Sequence, residues 1–271
     1  MYKFFAAATL LIASASLSAS SPKYLALVDS ADMYMKRERW EAAEQTIVKA
    51  LRLEPANFTN SLLLSNLGVA QTNQGHYEEA LESFRLGLTL SPRSSTLYNN
   101  RARTLLYLKR NKEALEDIEE SLSMDSIQEW PLQMKGLILL GENRLDEAQS
   151  TLNLLCRHYP YNDVGMSALG RISELEGDKE AALKYYDEAL RLSDEPETRS
   201  WRILLKISME KYSEASSDIR ESIEKYPENP YFYIWRGYLH RLNYRREEAL
   251  ADKKIALSKG ADKQFIEQFI P

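Results

Sequence analysis

The sequence predicts an all-α protein, an α-solenoid built from antiparallel helix pairs. The main observation is a repeat of about 34 residues, marked by an alanine in the second helix of each predicted pair. The spacings are 37, 34, 34, 34, 33 and 34 residues, between Ala43, Ala80, Ala114, Ala148, Ala182, Ala215 and Ala249. One such pair cannot bury its apolar face alone, so we expect neighbouring pairs to stack into one elongated core.

Residues 61–94 contain one complete helix–turn–helix and show which positions define the repeat. Small and apolar residues recur at helical spacing, and glycine and proline mark the turns, at Leu64, Leu67, Gly68, Gly75, Tyr77, Ala80, Phe84, Gly87 and Pro92. This pattern resembles the tetratricopeptide repeat (TPR) family. The resemblance implies a right-handed superhelix of seven repeats, at residues 24–57, 61–94, 95–128, 129–162, 163–195, 196–229 and 230–263.

The close approach of the paired helices should depend on small side chains. Most first helices have alanine or glycine at one position, and we expect these residues to face the second-helix alanines; they are Ala31, Gly68, Ala102, Gly136, Gly170 and Gly237. Repeat 6 has Ile203 at this position. The larger side chain predicts a wider separation of the two helices in that repeat.

The two ends of the array differ from the repeats. Residues 20–23 form a short polar lead, and residues 264–271 follow the last repeat. The final stretch places four apolar residues on one helical stripe, namely Phe265, Ile266, Phe269 and Ile270. We therefore expect a short C-terminal helix that caps repeat 7. The alternative interpretation is a docking peptide for another chain.

The first residues predict a cleaved signal peptide, residues 1–19. Lys3 provides a positive charge, residues 4–15 form an apolar run, and Ala19 ends a small-residue cleavage motif. The run is too short to cross a bilayer, which takes about 20 residues. An uncleaved anchor and a frayed first helix are the alternatives. We expect an exported protein, periplasmic or secreted, and the only cysteine, Cys156, excludes an intramolecular disulfide.

Composition and motifs argue against several functional classes. The formal net charge of −5 disfavours broad nucleic-acid binding, which needs a basic face. The three histidines, His76, His158 and His240, lie in different repeats, and no residue cluster has metal-ligand spacing. The sequence has no glycine-rich phosphate loop and no nucleophile elbow. We therefore expect neither an enzyme nor a cofactor.

The family resemblance implies that first helices line a concave groove. The groove candidates are aromatic residues, arginines and one asparagine: Asn99, Arg103, Trp130, Arg171, Trp201, Tyr231, Trp235, Tyr238 and Arg241. Aromatic and arginine side chains are typical of binding hot spots, although aromatic residues also pack cores. The carboxylate clamp of chaperone-adaptor TPR domains is not expected. Asn100 matches it, but the other four positions are Ser65, Val69, Trp130 and Met134.

These observations predict a non-catalytic scaffold for protein–protein interaction. Its partner would be a peptide or protein bound along the groove, without nucleic acid and without an integral membrane span. The alternative is a glycan-binding or envelope-assembly accessory protein, because aromatic platforms stack on sugars. The sequence leaves the identity of the partner and the oligomeric state open.

Overall fold

A computed structural model of the protein describes residues 20–271. The predicted signal peptide lies outside these residues. The described part contains helices and no strand, which confirms the predicted all-α class. Its helices are α1 (Pro22–Lys36), α2 (Trp40–Leu53), α3 (Asn60–Asn73), α4 (Tyr77–Leu90), α5 (Ser95–Tyr107), α6 (Asn111–Met124), α7 (Glu129–Gly141), α8 (Leu145–His158), α9 (Asp163–Leu175), α10 (Lys179–Leu192), α11 (Pro196–Ser208), α12 (Tyr212–Lys225), α13 (Pro230–Leu242), α14 (Arg246–Ser258) and α15 (Lys263–Phe269).

The described residues divide into two compact units, with the boundary between residues 124 and 125. In the described part of the first unit, α1 to α6 form three consecutive helix pairs, and each pair packs against the next. In the second unit, α7 to α14 form four pairs, and α15 packs on α13. Neighbouring first helices also touch, as α3 and α5 do in the first unit and α11 and α13 do in the second. Side chains of adjacent first helices can therefore share one surface.

The polar lead is part of the first unit. α1 begins at Pro22, inside the predicted lead, and the Ser21 hydroxyl caps it by accepting the Tyr24 N–H at 3.3 Å. The hydroxyl and the backbone N–H of Ser21 both donate to the Glu54 carboxylate, at 2.6 and 2.8 Å. These hydrogen bonds lower the pKa of Glu54, because they favour its charged form. The lead therefore ties α1 to the end of α2.

In repeats 2, 4 and 5 the first-helix glycine lies closest to a large second-helix side chain and not to the alanine, so the expectation is wrong for these repeats. In repeat 7, a Cβ atom added to Gly237 would lie 3.3 Å from the Ala249 carbonyl oxygen, as expected. A Cβ atom added to Gly68 would lie 2.4 Å from the Phe84 ring. The same atom at Gly170 would lie 2.6 Å from the Tyr186 ring, and at Gly136 it would lie 2.5 Å from Leu152. Glycine is needed because a ring or a leucine occupies the space beside the first helix. The alanines Ala80, Ala148 and Ala182 are fully buried, but they are not the nearest partners of these glycines, as shown by the contacts at Gly68, Gly136 and Gly170.

The turn between the two helices of each repeat contains one residue with left-handed backbone conformation. Gly75 and Gly177 take this conformation with φ of 79° and 87°, which glycine adopts without strain. In the other repeats a residue with a side chain does so, with φ between 53° and 60°, at Glu38, Lys109, Asn143, Glu210 and Tyr244. Such residues are strained by roughly 1–2 kcal/mol. Helix packing, and not local preference, therefore sets the conformation of these turns.

An arginine–aspartate pair links the two helices in three repeats. Arg101 donates to Asp117 through two nitrogens, at 2.7 and 2.5 Å, and the two residues are 16 positions apart. Arg236 and Asp252 form the same bridge at the same spacing, with a shortest distance of 2.6 Å. Arg202 lies 3.0 Å from Asp218 in repeat 6. The aspartate side chains are nearly buried. The bridges therefore connect the first and second helices of these repeats through polar contacts inside the helix pair.

Repeat 6 has a more charged interior than its neighbours. Ile203 is fully buried, and α11 and α12 lie close together over less of their length than the other pairs of the second unit, as the isoleucine predicts. Two cations are buried here, Arg199 and Lys206. Lys206 donates to Asp218 at 2.9 Å. Buried charges need partners, so these ion pairs hold the repeat together.

Asp194, in the turn between α10 and α11, is the centre of a second ion-pair group. Its carboxylate accepts from Nε and Nη2 of Arg199, the latter at 2.8 Å, and from the Lys225 ammonium. Arg199 also donates to Glu221 at 2.8 Å. The Tyr226 hydroxyl donates to the backbone carbonyl of Asp194. This group joins the turn to α11 and α12.

A first prediction tests the contact between Gly68 and Phe84. We expect Gly68→Leu to lower the free energy of unfolding by about 3 kcal/mol, because the new side chain overlaps the ring. Adding Phe84→Ala should recover part of this loss, since the leucine then fills the space of the ring. The free energies of unfolding of the single and the double variant are measured by urea unfolding, followed by circular dichroism.

The control is Gly141→Ala, because nothing lies within 4 Å of a Cβ added to Gly141. We expect this variant to be as stable as the natural chain or slightly more stable. Equal stability of Gly68→Leu and Gly141→Ala would contradict the proposed packing.

A second prediction concerns acid stability. The Arg199 guanidinium and the Lys225 ammonium lower the pKa of Asp194 from 3.8 to about 2. A carboxylate with a lowered pKa in the folded state stabilises the fold above its unfolded pKa, and this contribution disappears as the pH falls from about 4 to 2. We expect Asp194→Asn to lower the free energy of unfolding by about 2 kcal/mol at pH 7 and by progressively less below pH 4.

The matched control for Asp194→Asn is Asp29→Asn, which makes the same change of charge on an exposed face of α1. Unfolding curves at pH 7, 4 and 2.5 give the comparison. If the free energies of unfolding of the Asp194 variant and the natural chain differed by the same amount at all three pH values, the ionic contribution would be ruled out.

Candidate functional site

The predicted groove residues fall in both units and are described unit by unit. Asn99 and Arg103 lie on α5 of the first unit, where Asn99 is half-buried and Arg103 is exposed. The other candidates belong to first helices of the second unit, with Trp130 on α7, Arg171 on α9, Trp201 on α11, and Tyr231, Trp235, Tyr238 and Arg241 on α13. The second unit therefore holds most of the candidate surface.

In the second unit, α9, α10 and α11 bring four side chains together, and we call them the Trp201 cluster: Arg171, Glu174, Tyr186 and Trp201. The Arg171 guanidinium lies 5.8 Å from the centre of the Trp201 ring and donates to Glu174 at 2.7 Å. The Tyr186 hydroxyl donates to the same Glu174 oxygen at 2.9 Å. Burial and the Glu174 carboxylate raise the pKa of Tyr186, so its hydroxyl stays protonated.

The Trp201 cluster has one residue in the core, Tyr186, and two residues that reach the surface, Trp201 and Arg171. Tyr186 is fully buried, and its ring lies 6.1 Å from the Trp201 ring. Trp201 and Arg171 are both half-buried. One face of the tryptophan is thus supported by the core, and the rest is available with an arginine already fixed beside it. Such a pair can contact an apolar or aromatic side chain of a ligand at low cost in side-chain entropy.

The aromatic residues of α13 form a second cluster with α15, and we call it the cap cluster: Tyr231, Trp235, Tyr238, Phe265 and Phe269. The Trp235 ring packs edge to face with Phe269 at 4.9 Å and with Phe265 at 6.1 Å. Phe265 also contacts Tyr231 at 5.6 Å, and Phe269 contacts Tyr238 at 5.4 Å. The C-terminal helix therefore covers the aromatic face of α13.

This arrangement corrects the expectation that Trp235 is accessible to a ligand. Trp235 is only 3% exposed, because α15 lies over it, and it belongs to the core of the second unit. Tyr231, at 47% exposure, remains at the surface. Tyr238 is half-buried, and the exposed Arg241 guanidinium lies 5.2 Å from its ring centre. The accessible part of the cap cluster is thus its tyrosine edge.

The last residues replace a side chain that repeat 7 lacks. Ile270 is 2% exposed, and its Cδ1 would lie 2.4 Å from a Cβ added to Gly237. In repeats 2, 4 and 5 this space beside the first-helix glycine is filled from the second helix, by Phe84, Leu152 and Tyr186. In repeat 7 the Lys253 ammonium donates to the Ile270 carbonyl at 2.7 Å. The C-terminal stripe therefore docks on its own repeat.

Other groups that could carry chemistry are dispersed in the described part of the chain. No group of three or more histidine, cysteine or acidic side chains there could hold a metal ion. Cys156 is half-buried, and burial raises its pKa to about 11, which disfavours the reactive thiolate. Among the described helices, none combines the length and the apolar composition that a membrane span requires.

The fold and its surfaces define a helical-repeat scaffold of the kind used for protein–protein interaction. Sequence models of the tetratricopeptide repeat match residues 26–58, 63–95 and 166–200, and a second model of the same repeat matches residues 95–128. The chain belongs to the tetratricopeptide repeat family, and about seven repeats are consistent with its helix pairs. Proteins of this family are generally non-catalytic scaffolds.

Relatives in sequence share part of the chain. It is 39% identical over 88 residues to the tetratricopeptide repeat protein 36 homolog of Drosophila pseudoobscura, which covers 31% of this chain and 47% of the relative. It is 34% identical over 104 residues to sperm-associated antigen 1 of Mus musculus, covering 38% of this chain and 11% of that protein. The chain thus spans about half, or less, of the length of these relatives.

Solved structures show the same fold. A tetratricopeptide repeat protein from Parabacteroides merdae superposes with a TM-score of 0.72 at 23% identity, covering 92% of this chain and 98% of that one. YrrB, described as a TPR protein with an unusual peptide-binding site, superposes with a TM-score of 0.55 at 20% identity and covers 68% of this chain and 90% of its own. At these identities the likeness concerns the fold.

A third prediction tests the docking of the C-terminal stripe. We expect Ile270→Ala to lower the free energy of unfolding by about 2–4 kcal/mol, because it leaves a void beside Gly237. The tryptophan fluorescence of the chain, to which the buried Trp235 contributes, should shift to longer wavelength at lower denaturant than in the natural chain. Pro271→Ala, which changes the exposed neighbouring residue, is the control and should leave both measurements unchanged. If the two variants behaved alike, the docking described here would be incorrect.

Proposed function

We propose that the protein is a non-catalytic scaffold that holds an extended peptide, or an extended segment of a partner protein, on the first-helix surface of its second unit. The observation that carries this proposal is the Trp201 cluster. Trp201 is supported from below by the buried Tyr186, and Arg171 is fixed beside it by Glu174. Tryptophan and arginine are the residue types most enriched at binding hot spots.

Preorganisation favours this surface over other exposed side chains. Arg171 and Trp201 already occupy defined positions, so a ligand would immobilise few additional rotamers on binding. The Arg171 charge is neutralised by Glu174 at 2.7 Å, so the ligand that fits best has an apolar or aromatic side chain and needs no carboxylate. The tyrosine edge of the cap cluster, with the exposed Tyr231, offers a second contact in the same unit.

The comparisons support this proposal at the level of the fold. Peptide binding is named for YrrB, whose structure has the same repeat architecture. Extended peptides suit such a surface, because successive first helices present side chains at regular intervals. The residues of this chain that would make the contact are Arg171, Trp201 and Tyr231.

A fourth prediction tests the Trp201 cluster with peptides selected from a random displayed library against the full chain. We expect Trp201→Ala to weaken the selected peptides by at least about tenfold, since a central tryptophan typically contributes that much or more. Arg171→Gln should weaken them as well, by a smaller factor. Affinities are measured by fluorescence anisotropy, and circular dichroism confirms that each variant is folded.

The control for this test is Tyr244→Ala, which removes an aromatic ring that is 96% exposed in the turn between α13 and α14. This variant should bind the peptides as the natural chain does. Full affinity in folded Trp201→Ala and Arg171→Gln variants would remove the cluster from the proposed binding surface.

A further inference from the structure

A cleft in the first unit has a polar lining that differs from the rest of the surface. It lies between the start of α3 and the start of α5, and its volume is about 370 Å³. Its polar side chains are six hydroxyl groups and one cation, from Ser61, Ser65, Ser91, Ser94, Ser95, Thr96 and Arg93. No carboxylate lines it, although the protein as a whole carries more acidic than basic residues.

The second cleft of this unit provides the contrast. It is lined by five carboxylates and three arginines. Each of these arginines is paired: Arg85 with Glu82, Arg101 with Asp117, and Arg110 with Glu113, at distances of 2.5–2.6 Å. Arg93, by comparison, is exposed and forms no ion pair with the described part of the chain. The cation of the hydroxyl-lined cleft is therefore available to an external anion.

The start of α5 adds backbone donors to this cleft. The first N–H groups of a helix have no partner within the helix, and the helix dipole favours negative charge at this end. The Ser94 side chain accepts the N–H of Leu97 at 3.3 Å, and the Ser94 carbonyl accepts that of Tyr98. Ser95 and Thr96 line the cleft and are the first two residues of α5. Their backbone N–H groups come before those of Leu97 and Tyr98 and have no partner within the helix.

Two serines of α3 that are mostly buried, yet line the cleft, provide an independent indication of a ligand. Ser61 is 8% exposed, lines the cleft, and its hydroxyl makes no hydrogen bond with the described residues. Ser65 is 6% exposed and accepts from Asn100 at 3.2 Å, so its own proton has no acceptor within the described chain. Both hydroxyl protons are therefore free to donate to an acceptor bound in the cleft.

We propose that this cleft binds a phosphoryl group, as free phosphate or as a phosphate monoester. The groups that the cleft has free for a ligand include several donors: the Arg93 guanidinium, the hydroxyl protons of Ser61 and Ser65, and the N–H groups at the start of α5. A phosphoryl group presents three terminal oxygens and up to two negative charges, so it can accept from all of them. The site belongs to the first unit and is independent of the surface proposed for peptides.

A fifth prediction tests this site by isothermal titration of the full chain in chloride buffer, with inorganic phosphate and with O-phosphoserine as probes. We expect saturable binding of both probes at one site. Arg93→Gln should weaken binding roughly tenfold, because it removes a charge-assisted hydrogen bond. Tighter binding of O-phosphoserine than of phosphate would identify a monoester as the ligand, and the reverse order would identify the free ion.

A second variant separates binding from folding. Ser95→Asp places a carboxylate in the cleft at the first position of α5, where a negative charge favours the helix. We expect this variant to lose phosphate binding while its thermal unfolding temperature is unchanged or higher. Arg157→Gln removes an exposed arginine of α8 in the other unit and should bind phosphate as the natural chain does.

Three results would overturn the proposal. The first is the absence of saturable phosphate binding to the natural chain. The second is unchanged binding in both Arg93→Gln and Ser95→Asp. The third is binding of acetate as tight as that of phosphate, since a site built for three oxygens should prefer the phosphoryl group.

Discussion

The close contact between a first-helix glycine and a large second-helix side chain is the interaction on which repeats 2, 4 and 5 depend. It is seen between Gly68 and Phe84, and again between Gly170 and Tyr186. It sets how near the two helices of a repeat can lie, and therefore how the next repeat stacks on them. In repeat 5 this contact also helps to position residues at the surface. Tyr186, packed on Gly170, holds Glu174 with its hydroxyl, and Glu174 holds Arg171 beside Trp201.

Repeats 6 and 7 lack this contact, and each replaces it differently. Repeat 6 has Ile203 in place of the small residue, and ion pairs of the buried cations Arg199 and Lys206 add to the apolar contacts between its helices. Repeat 7 keeps Gly237 but receives its apolar partner from Ile270. Ionic contacts respond to pH and salt more strongly than apolar packing does. The helix pairs of the second unit should therefore differ in how strongly their stability depends on pH and salt.

Much of the fold could be predicted from the sequence, because the helix pairs follow directly from a regular spacing of small residues. The partner of each glycine could not, since the period fixes the position of a residue along the helix but not the direction of its neighbours. The arginine–aspartate bridges were missed, although Arg101, Arg202 and Arg236 recur at one repeat position with an aspartate at a constant spacing. Comparison of charged positions between repeats would have found them.

The candidate site was less accessible to sequence reasoning. Residue type identified Trp201 and Trp235 as equal candidates, but one is half-buried at the surface and the other lies under α15. The difference depends on where the last residues fold back, and a local pattern does not contain that information. The unsatisfied hydroxyl groups of Ser61 and Ser65 are likewise visible only when burial and hydrogen bonds are known.

The docking of the C-terminal residues has a consequence for the length of the array. A further repeat would place its own first helix where α15 now lies on α13. Ile270, packed beside Gly237, and the Lys253 hydrogen bond to its carbonyl hold α15 in that place. The aromatic face of α13 is thus covered by α15 and is not available to stack against another helix pair.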